Sequence, residues 1–137
     1  MSRLILSKLR PLVTVIIPAY NEKRTIREVV KTVKKVKEVD EIVVVDDGST
    51  DGTSKEIRDL GIKIIRHKRN MGKGAAMKTG LKHAKGEVIL FIDADLENIA
   101  SSKVRSLIKP VLDGKADFSK SKLQTKRGRL TKLLVVP

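Results

Sequence analysis

The sequence predicts an α/β fold: a mostly parallel sheet flanked by helices. Three observations point there. Short, largely β-branched runs recur along the chain, as in strands buried on both faces of a sheet. Between them, apolar residues fall at three- and four-residue spacing, the stripe of an amphipathic helix. Most runs are followed by a cluster rich in Gly, Asp, Asn, Ser and Thr, which supplies turn and cap chemistry before the next helix. Strands that alternate with helices in this way close a parallel sheet through right-handed crossovers.

Val13-Thr14-Val15-Ile16-Ile17, closed by Pro18, is the first strand. Thr25 and Glu28 form a capping box ahead of Ile26, Val29, Val30, Val33 and Val36, which predicts a helix from Thr25 to Lys37. Ile42 to Val45 is the second strand, and the turn-rich segment Asp46 to Thr53 leads into a short helix through Leu60. Lys63 to Arg66 is the third strand. Arg69-Asn70-Met71-Gly72-Lys73-Gly74 then opens a helix marked by Ala76, Met77, Leu81 and Ala84 and stopped by Gly86. Val88 to Ile92 is the fourth strand and ends in Asp93-Ala94-Asp95. Val104, Leu107, Ile108, Val111 and Leu112 mark a further helix, in which Pro110 is placed to introduce a kink and which Gly114 ends. One α/β domain is expected over residues 13–123, between a basic lead at 1–12 and a basic tail at 124–137.

A chain of 137 residues, 40% hydrophobic and 34% charged, suits one soluble folded domain and excludes disorder. Thirty Lys and Arg against 16 Asp and Glu leave a charge of +14, which favours polyanions, anionic headgroups or phosphorylated substrates. Aromatic residues are only 2%, too few for base stacking, so a nucleic-acid-binding domain is disfavoured. The absence of cysteine rules out disulfides and thiolate metal sites. No apolar run approaches the roughly 20 residues of a membrane span. The expected location is the cytoplasm, with any membrane contact peripheral.

Four polar clusters carry the chemistry: Pro18 to Glu22, Asp46 to Thr53, Arg69 to Gly74, and Asp93 to Asp95. Each follows the carboxyl end of a strand, the edge at which open α/β sheets hold ligands. Asp93 and Asp95, one residue apart on an extended loop, can both turn toward one cation and offer hard oxygen ligands of the kind Mg2+ or Mn2+ prefers. The same two residues also suit a helix cap. Asp46 and Asp47 are placed to accept hydrogen bonds from a nucleobase or ribose, and fit an Asx turn equally well. Gly72 and Lys73 at a helix start offer backbone amides and an ammonium to a phosphate. They match neither the P-loop nor the dinucleotide fingerprint. His67 and His83 lack acidic or histidine neighbours at metal-ligand spacing and are expected to be surface or structural residues. A receiver-type phosphorylation domain also clusters aspartates, but here the Asp pair follows the second strand and the D-x-D the fourth.

Pro18-Ala19-Tyr20-Asn21-Glu22, Val43-Val44-Val45-Asp46-Asp47-Gly48-Ser49-Thr50-Asp51, Asn70 with Gly72-Lys73-Gly74, and Asp93-Ala94-Asp95 resemble, in this order, the motifs of GT-A glycosyltransferases of family 2. The resemblance covers Val13 to Leu123 and implies a Rossmann-like GT-A fold that binds a nucleotide-diphospho-sugar, a UDP- or GDP-sugar. It implies metal binding by Asp93 and Asp95, and donor contacts from Pro18, Ala19, Tyr20, Glu22, Asp46, Asp47, Gly72, Lys73, Asp93 and Ala94. Asp95-Leu96-Glu97-Asn98, Lys109-Pro110-Val111-Leu112, Lys120-Ser121-Lys122 and Gly128-Arg129-Leu130-Thr131 further resemble glucosyl-3-phosphoglycerate synthases. That branch implies acceptor binding by Gly128, Arg129 and Thr131, although Lys126 to Arg129 also suits a solvated basic turn. The dolichyl-phosphate-sugar synthases are the other branch that the motifs resemble.

The resulting expectation is a metal-dependent glycosyltransferase, or its donor-binding half, with a phosphorylated acceptor such as 3-phosphoglycerate or a polyprenyl phosphate. The alternative is a non-catalytic nucleotide-sugar-binding module completed by a partner chain. Both similar branches continue well past the metal motif to build the acceptor site, so the fold is expected to be truncated, with residues 124–137 beginning an incomplete acceptor region. Whether this chain is itself an enzyme stays open on those grounds. An unfinished sheet edge and apolar helix faces favour a homodimer.

Overall fold

The computed structural model describes residues 10–117, 119–122 and 130–135, with side chains for residues 10–117. The elements are β1 (Val13–Ala19), α1 (Ile26–Lys34), β2 (Glu41–Asp46), a 3-10 helix (Thr53–Leu60), β3 (Lys63–Arg66), α2 (Lys73–His83), β4 (Val88–Phe91), α3 (Ser101–Leu112), β5 (Ser119–Lys122) and β6 (Leu130–Val135). They build one sheet in the order β3-β2-β1-β4-β6-β5. β1 pairs parallel with β2 and β4, and β2 with β3, so four strands form the expected parallel core.

The chain steps from β1 outward through β2 to β3, then returns across the sheet to β4 on the other side of β1. That reversal makes the gap between the carboxyl ends of β1 and β4 the topological switch point, where crossover connections diverge and leave a crevice. The clusters at Pro18 to Glu22 and Asp93 to Asp95 leave the two strands that border this gap, and the one at Asp46 to Thr53 leaves β2, beside β1. The remaining cluster, Arg69 to Gly74, arrives there by way of the start of α2.

Alternation along β1 explains the two layers. Val13, Val15 and Ile17 face α1 and α3, and join Val29, Val30, Val33, Val104, Leu107 and Ile108 in the main core. Ile16 faces the other way with Ile89 and Phe91, against Met77 of α2. Side chains one apart on a strand point to opposite faces, so a continuous apolar run is what a sheet covered on both sides requires. Gly80 lets α2 lie directly on β1, since a Cβ there would come within 2.4 Å of Ile16 Cγ2.

Several boundaries differ from expectation. α1 ends at Lys34 rather than Lys37, yet Val36 stays in the core on the turn that follows. Thr25 makes no side-chain cap, because its hydroxyl is used elsewhere. α2 ends at His83 with Ala84 already extended (ψ 134°), so Gly86 is not its stop. Pro110 lies inside α3, as expected. The sheet also runs past residue 123: β6 lies antiparallel beside β4 and β5 beside β6, covering the edge of β4 that the sequence reading left open. Among the described residues no helix is long and apolar enough to cross a membrane.

Candidate functional site

At the switch point the loops after β1, β2 and β4 and the start of α2 enclose an open cleft of about 210 Å³. It is lined by Pro18, Ala19, Tyr20, Glu22, Asp47, Asn70, Gly72, Lys73, Ala76, Asp93, Ala94 and Asp95. Thus nine of the ten expected donor residues meet in one place, together with Asp95, Asn70 and Ala76.

Asp46 does not line it. Neighbouring residues at the end of a strand point to opposite sides, so only one of two adjacent aspartates can face the cleft. Asp46 is fully buried. Its Oδ1 accepts from Ser49 N at 2.8 Å, closing an Asx turn, and its Oδ2 lies 3.6 Å from Arg66 Nη1. The turn expected as an alternative is what this residue builds, and that use corrects its place among the donor contacts.

Asp47 faces inward, yet its carboxylate is already engaged. Oδ1 accepts from Met71 N at 2.9 Å and lies 2.7 Å from His67 Nδ1, while Oδ2 accepts from Gly72 N at 2.8 Å. Its first task is to hold the loop before α2 against the end of β2. Gly48 makes this approach possible, with φ +77° and a position where a Cβ would fall 2.5 Å from Arg69 C. Metal-ligand spacing in the sequence does not reveal His67. The signal that could have found it is its position just past the carboxyl end of β3.

The loop after β1 is pinned from the β2 side: Asn21 N donates to Ser49 Oγ, Glu22 N to Thr53 Oγ1 and Lys23 N to Asp51 Oδ2. Burial pushes the Asp51 carboxyl up, but hydrogen bonds from the Thr53 hydroxyl and from the amides of Lys23 and Thr53 outweigh it and hold the group below the usual carboxylate range.

The acidic loop is a buried part of the cleft. Asp93 is 7% and Asp95 3% exposed. Asp93 Oδ1 pairs with Lys73 Nζ at 2.5 Å, while Asp93 Oδ2 and Asp95 Oδ2 are buried with no hydrogen-bond partner. Thr25 Oγ1 donates to Ala94 O between them at 2.7 Å and fixes the loop to the start of α1. Among the described residues no three His, Asp or Glu side chains gather as a metal cluster of their own. Of the expected acceptor residues, Gly128 and Arg129 lie outside the described residues, and Thr131 is described only as backbone in β6, in register with Ser121.

A switch-point crevice with buried carboxylates and one ammonium is the ligand edge of an open α/β sheet. Residues 14–131 match the family described as "Glycosyl transferase family 2", and the chain belongs to that family. Its architecture is the Rossmann-like GT-A arrangement. It is 42% identical over 101 residues to an uncharacterized protein of Methanocaldococcus jannaschii, covering 72% of this chain and 41% of that one. It is 33% identical over 113 residues to the undecaprenyl-phosphate 4-deoxy-4-formamido-L-arabinose transferase of Aeromonas hydrophila, covering 75% of this chain and 34% of the relative. Among solved structures, the glucosyl-3-phosphoglycerate synthase of Mycobacterium tuberculosis in complex with Mn2+, UDP-glucose and phosphoglyceric acid superposes with a TM-score of 0.72 at 31% identity, covering 80% of this chain and 42% of that one. The same synthase has also been solved with Mg2+ and UDP. The chain therefore spans less than half the length of each of these relatives.

Proposed function

We propose that this chain is the donor-binding part of a metal-dependent glycosyltransferase and holds a nucleotide-diphospho-sugar in the switch-point cleft. The observation that carries this reading is the pair of buried, unpartnered oxygens, Asp93 Oδ2 and Asp95 Oδ2, beside the ammonium of Lys73. An ionised oxygen buried without a partner costs free energy, and a cation is what repays it. Asp93 and Asp95 would hold Mg2+ or Mn2+, and two carboxylates leave most of an octahedral shell to diphosphate oxygens and water.

Bound there, the cation supplies positive charge against the negative charge that develops on the departing nucleoside diphosphate. Lys73 adds a second positive charge at the same place, and an ammonium released from Asp93 can donate to a phosphate oxygen. Pro18, Ala19 and Ala76 give the cleft an apolar wall, and Tyr20 and Glu22 stand at its side for the nucleoside. A phosphorylated acceptor is supported by the relatives, one solved with phosphoglyceric acid and one named for undecaprenyl phosphate. Both acceptors carry a phosphate, which the excess of basic residues from Ser101 onward favours. Gly128, Arg129 and Thr131 remain the residues proposed to receive it.

Isothermal titration of UDP-glucose and GDP-mannose, with and without Mn2+, tests the donor site. Metal-dependent binding that Asp95→Asn abolishes is expected, and absence of binding at any metal concentration would sink the proposal. A transfer assay with 3-phosphoglycerate then separates an active transferase from a module completed by a partner chain, which binds donor without turnover.

A further inference from the structure

We infer that His67, which does not line the cleft, is a positioning residue for diphosphate binding: through Asp47 it holds the loop from Asn70 to Lys73 in the shape that receives the donor. The inference rests on the donor-binding reading above and goes beyond it, to a residue behind the site.

His67 directly follows β3, and its backbone amide donates to Asp46 O at 2.9 Å, which places the ring behind the end of β2. The ring is 10% exposed and both nitrogens are engaged, Nδ1 at 2.7 Å from Asp47 Oδ1 and Nε2 at 2.8 Å from Thr79 Oγ1. An ionised carboxylate only accepts, so Nδ1 carries the hydrogen. In the neutral ring Nε2 must then accept, and the Thr79 hydroxyl donates to it. With the ring neutral, the chain Thr79, His67, Asp47 has one direction, and it ends on the carboxylate that receives the amides of Met71 and Gly72.

Three elements meet in this chain. Asp47 extends β2, His67 extends β3, and Thr79 sits on α2, the helix that begins at Lys73. Loss of the imidazole leaves Asp47 held by the two loop amides alone, without the contact that anchors Oδ1 from the β3 side. Gly72 has φ +100°, its amide donates to Asp47 Oδ2 and its carbonyl accepts from Ala76 N, so the carboxylate helps to set the shape of the loop ahead of the helix. Asp47, Gly72 and Lys73 all line the cleft. A shift of the carboxylate is therefore passed to the amides and the ammonium proposed to meet the diphosphate, while the rest of the cleft is left in place.

The test uses the whole chain with saturating Mn2+ and two probes, UDP and UMP, in titration calorimetry. Amide hydrogen exchange of the ligand-free protein is followed alongside. His67→Ala is expected to weaken UDP at least tenfold, to weaken UMP much less, and to speed exchange at Met71 and Gly72. His67→Asn, which restores a donor near the position of Nδ1, is expected to recover most of both. Thr79→Val, which cuts the far end of the chain, is expected to show the same pattern more weakly, and it carries the test should His67→Ala not fold. Variants that bind UDP like the wild type, that lose UDP and UMP equally, or that leave Met71 and Gly72 protected overturn the inference. A wild type that binds no UDP overturns the donor reading itself. A wild type that binds, with variants that bind equally well, overturns only the role of His67.

Discussion

The hydroxyl of Thr25 donates to the backbone oxygen of Ala94 at 2.7 Å, tying the start of α1 to the middle of the acidic loop across 69 positions of sequence. Both residues are buried, and the carbonyl lies between the two carboxylates proposed to hold a cation. Thr25→Val keeps the shape but leaves that oxygen unsatisfied, at a cost of about 1–3 kcal/mol. Urea denaturation should show this loss, with weaker Mn2+ binding in its wake, and Thr25→Ser should restore both. A valine variant as stable as the wild type would show that the tie is dispensable.

Asp95 should behave oppositely. Its Oδ2 is buried and unpartnered, so in the ligand-free protein Asp95→Asn has no hydrogen bond at that oxygen to lose. The thermal midpoint without metal is expected to stay level or rise, while metal-dependent nucleotide affinity falls at least tenfold. A variant that loses stability and keeps its affinity would assign the carboxylate to the scaffold.

Lys73 shares Asp93 with any incoming cation, because its ammonium already sits 2.5 Å from Asp93 Oδ1. Lys73→Met should let Mn2+ alone bind more tightly. UDP at saturating Mn2+ should bind roughly tenfold more weakly, the scale of one lost charge-assisted hydrogen bond. Calorimetric titrations of the metal and of the nucleotide, run separately, read the two directions.

Gly48 and Gly52 make a matched pair of backbone tests. Both have positive φ, +77° and +89°, but only at Gly48 does an added Cβ meet backbone, 2.5 Å from Arg69 C. Gly52→Ala should cost about 1 kcal/mol, the penalty of the left-handed region. Gly48→Ala should cost more, about 2–4 kcal/mol, since the loop at Arg69 must also move. Denaturation midpoints measured side by side check the difference.

Stability should fall in acid through Asp51 and Glu38. Burial raises each carboxyl, but the hydrogen bonds to Asp51 and the Arg105 guanidinium beside Glu38 outweigh it, so both sit below their ordinary values. A folded value below the unfolded one contributes stability above about pH 4 and loses it as pH falls through the depressed value. The melting midpoint is therefore expected to hold between about pH 7 and 5 and to drop below about 4. Asp51→Asn should start lower and show a shallower acid limb.

Much of this molecule is determined by local sequence. The runs Val13 to Ile17, Ile42 to Val45 and Val88 to Phe91 are β-branched or apolar at every position or nearly so, which only a strand covered on both faces can use, and the stripe Ile26, Val29, Val30 and Val33 admits only a helix with one buried face. Alternation of the two then places the polar clusters at one edge, so the cleft's lining was legible apart from Ala76, while Asp46, expected in it, lies outside. Tertiary structure decided the rest, because each remaining question turns on a partner far away in the chain. Period-two geometry says that Asp46 and Asp47 point to opposite sides, but only the placement of Arg66 and of the Met71 and Gly72 amides says which one faces inward. Thr25 has the local pattern of a cap, and the carbonyl of Ala94 takes its hydroxyl instead. His67 looks idle beside its sequence neighbours and acquires its partners only when β2, β3 and α2 come together. The edge of β4 looks open until β6, about 40 residues later, pairs with it. Hydrogen bonds made between elements are set by where those elements pack, and that is the information a local pattern does not hold.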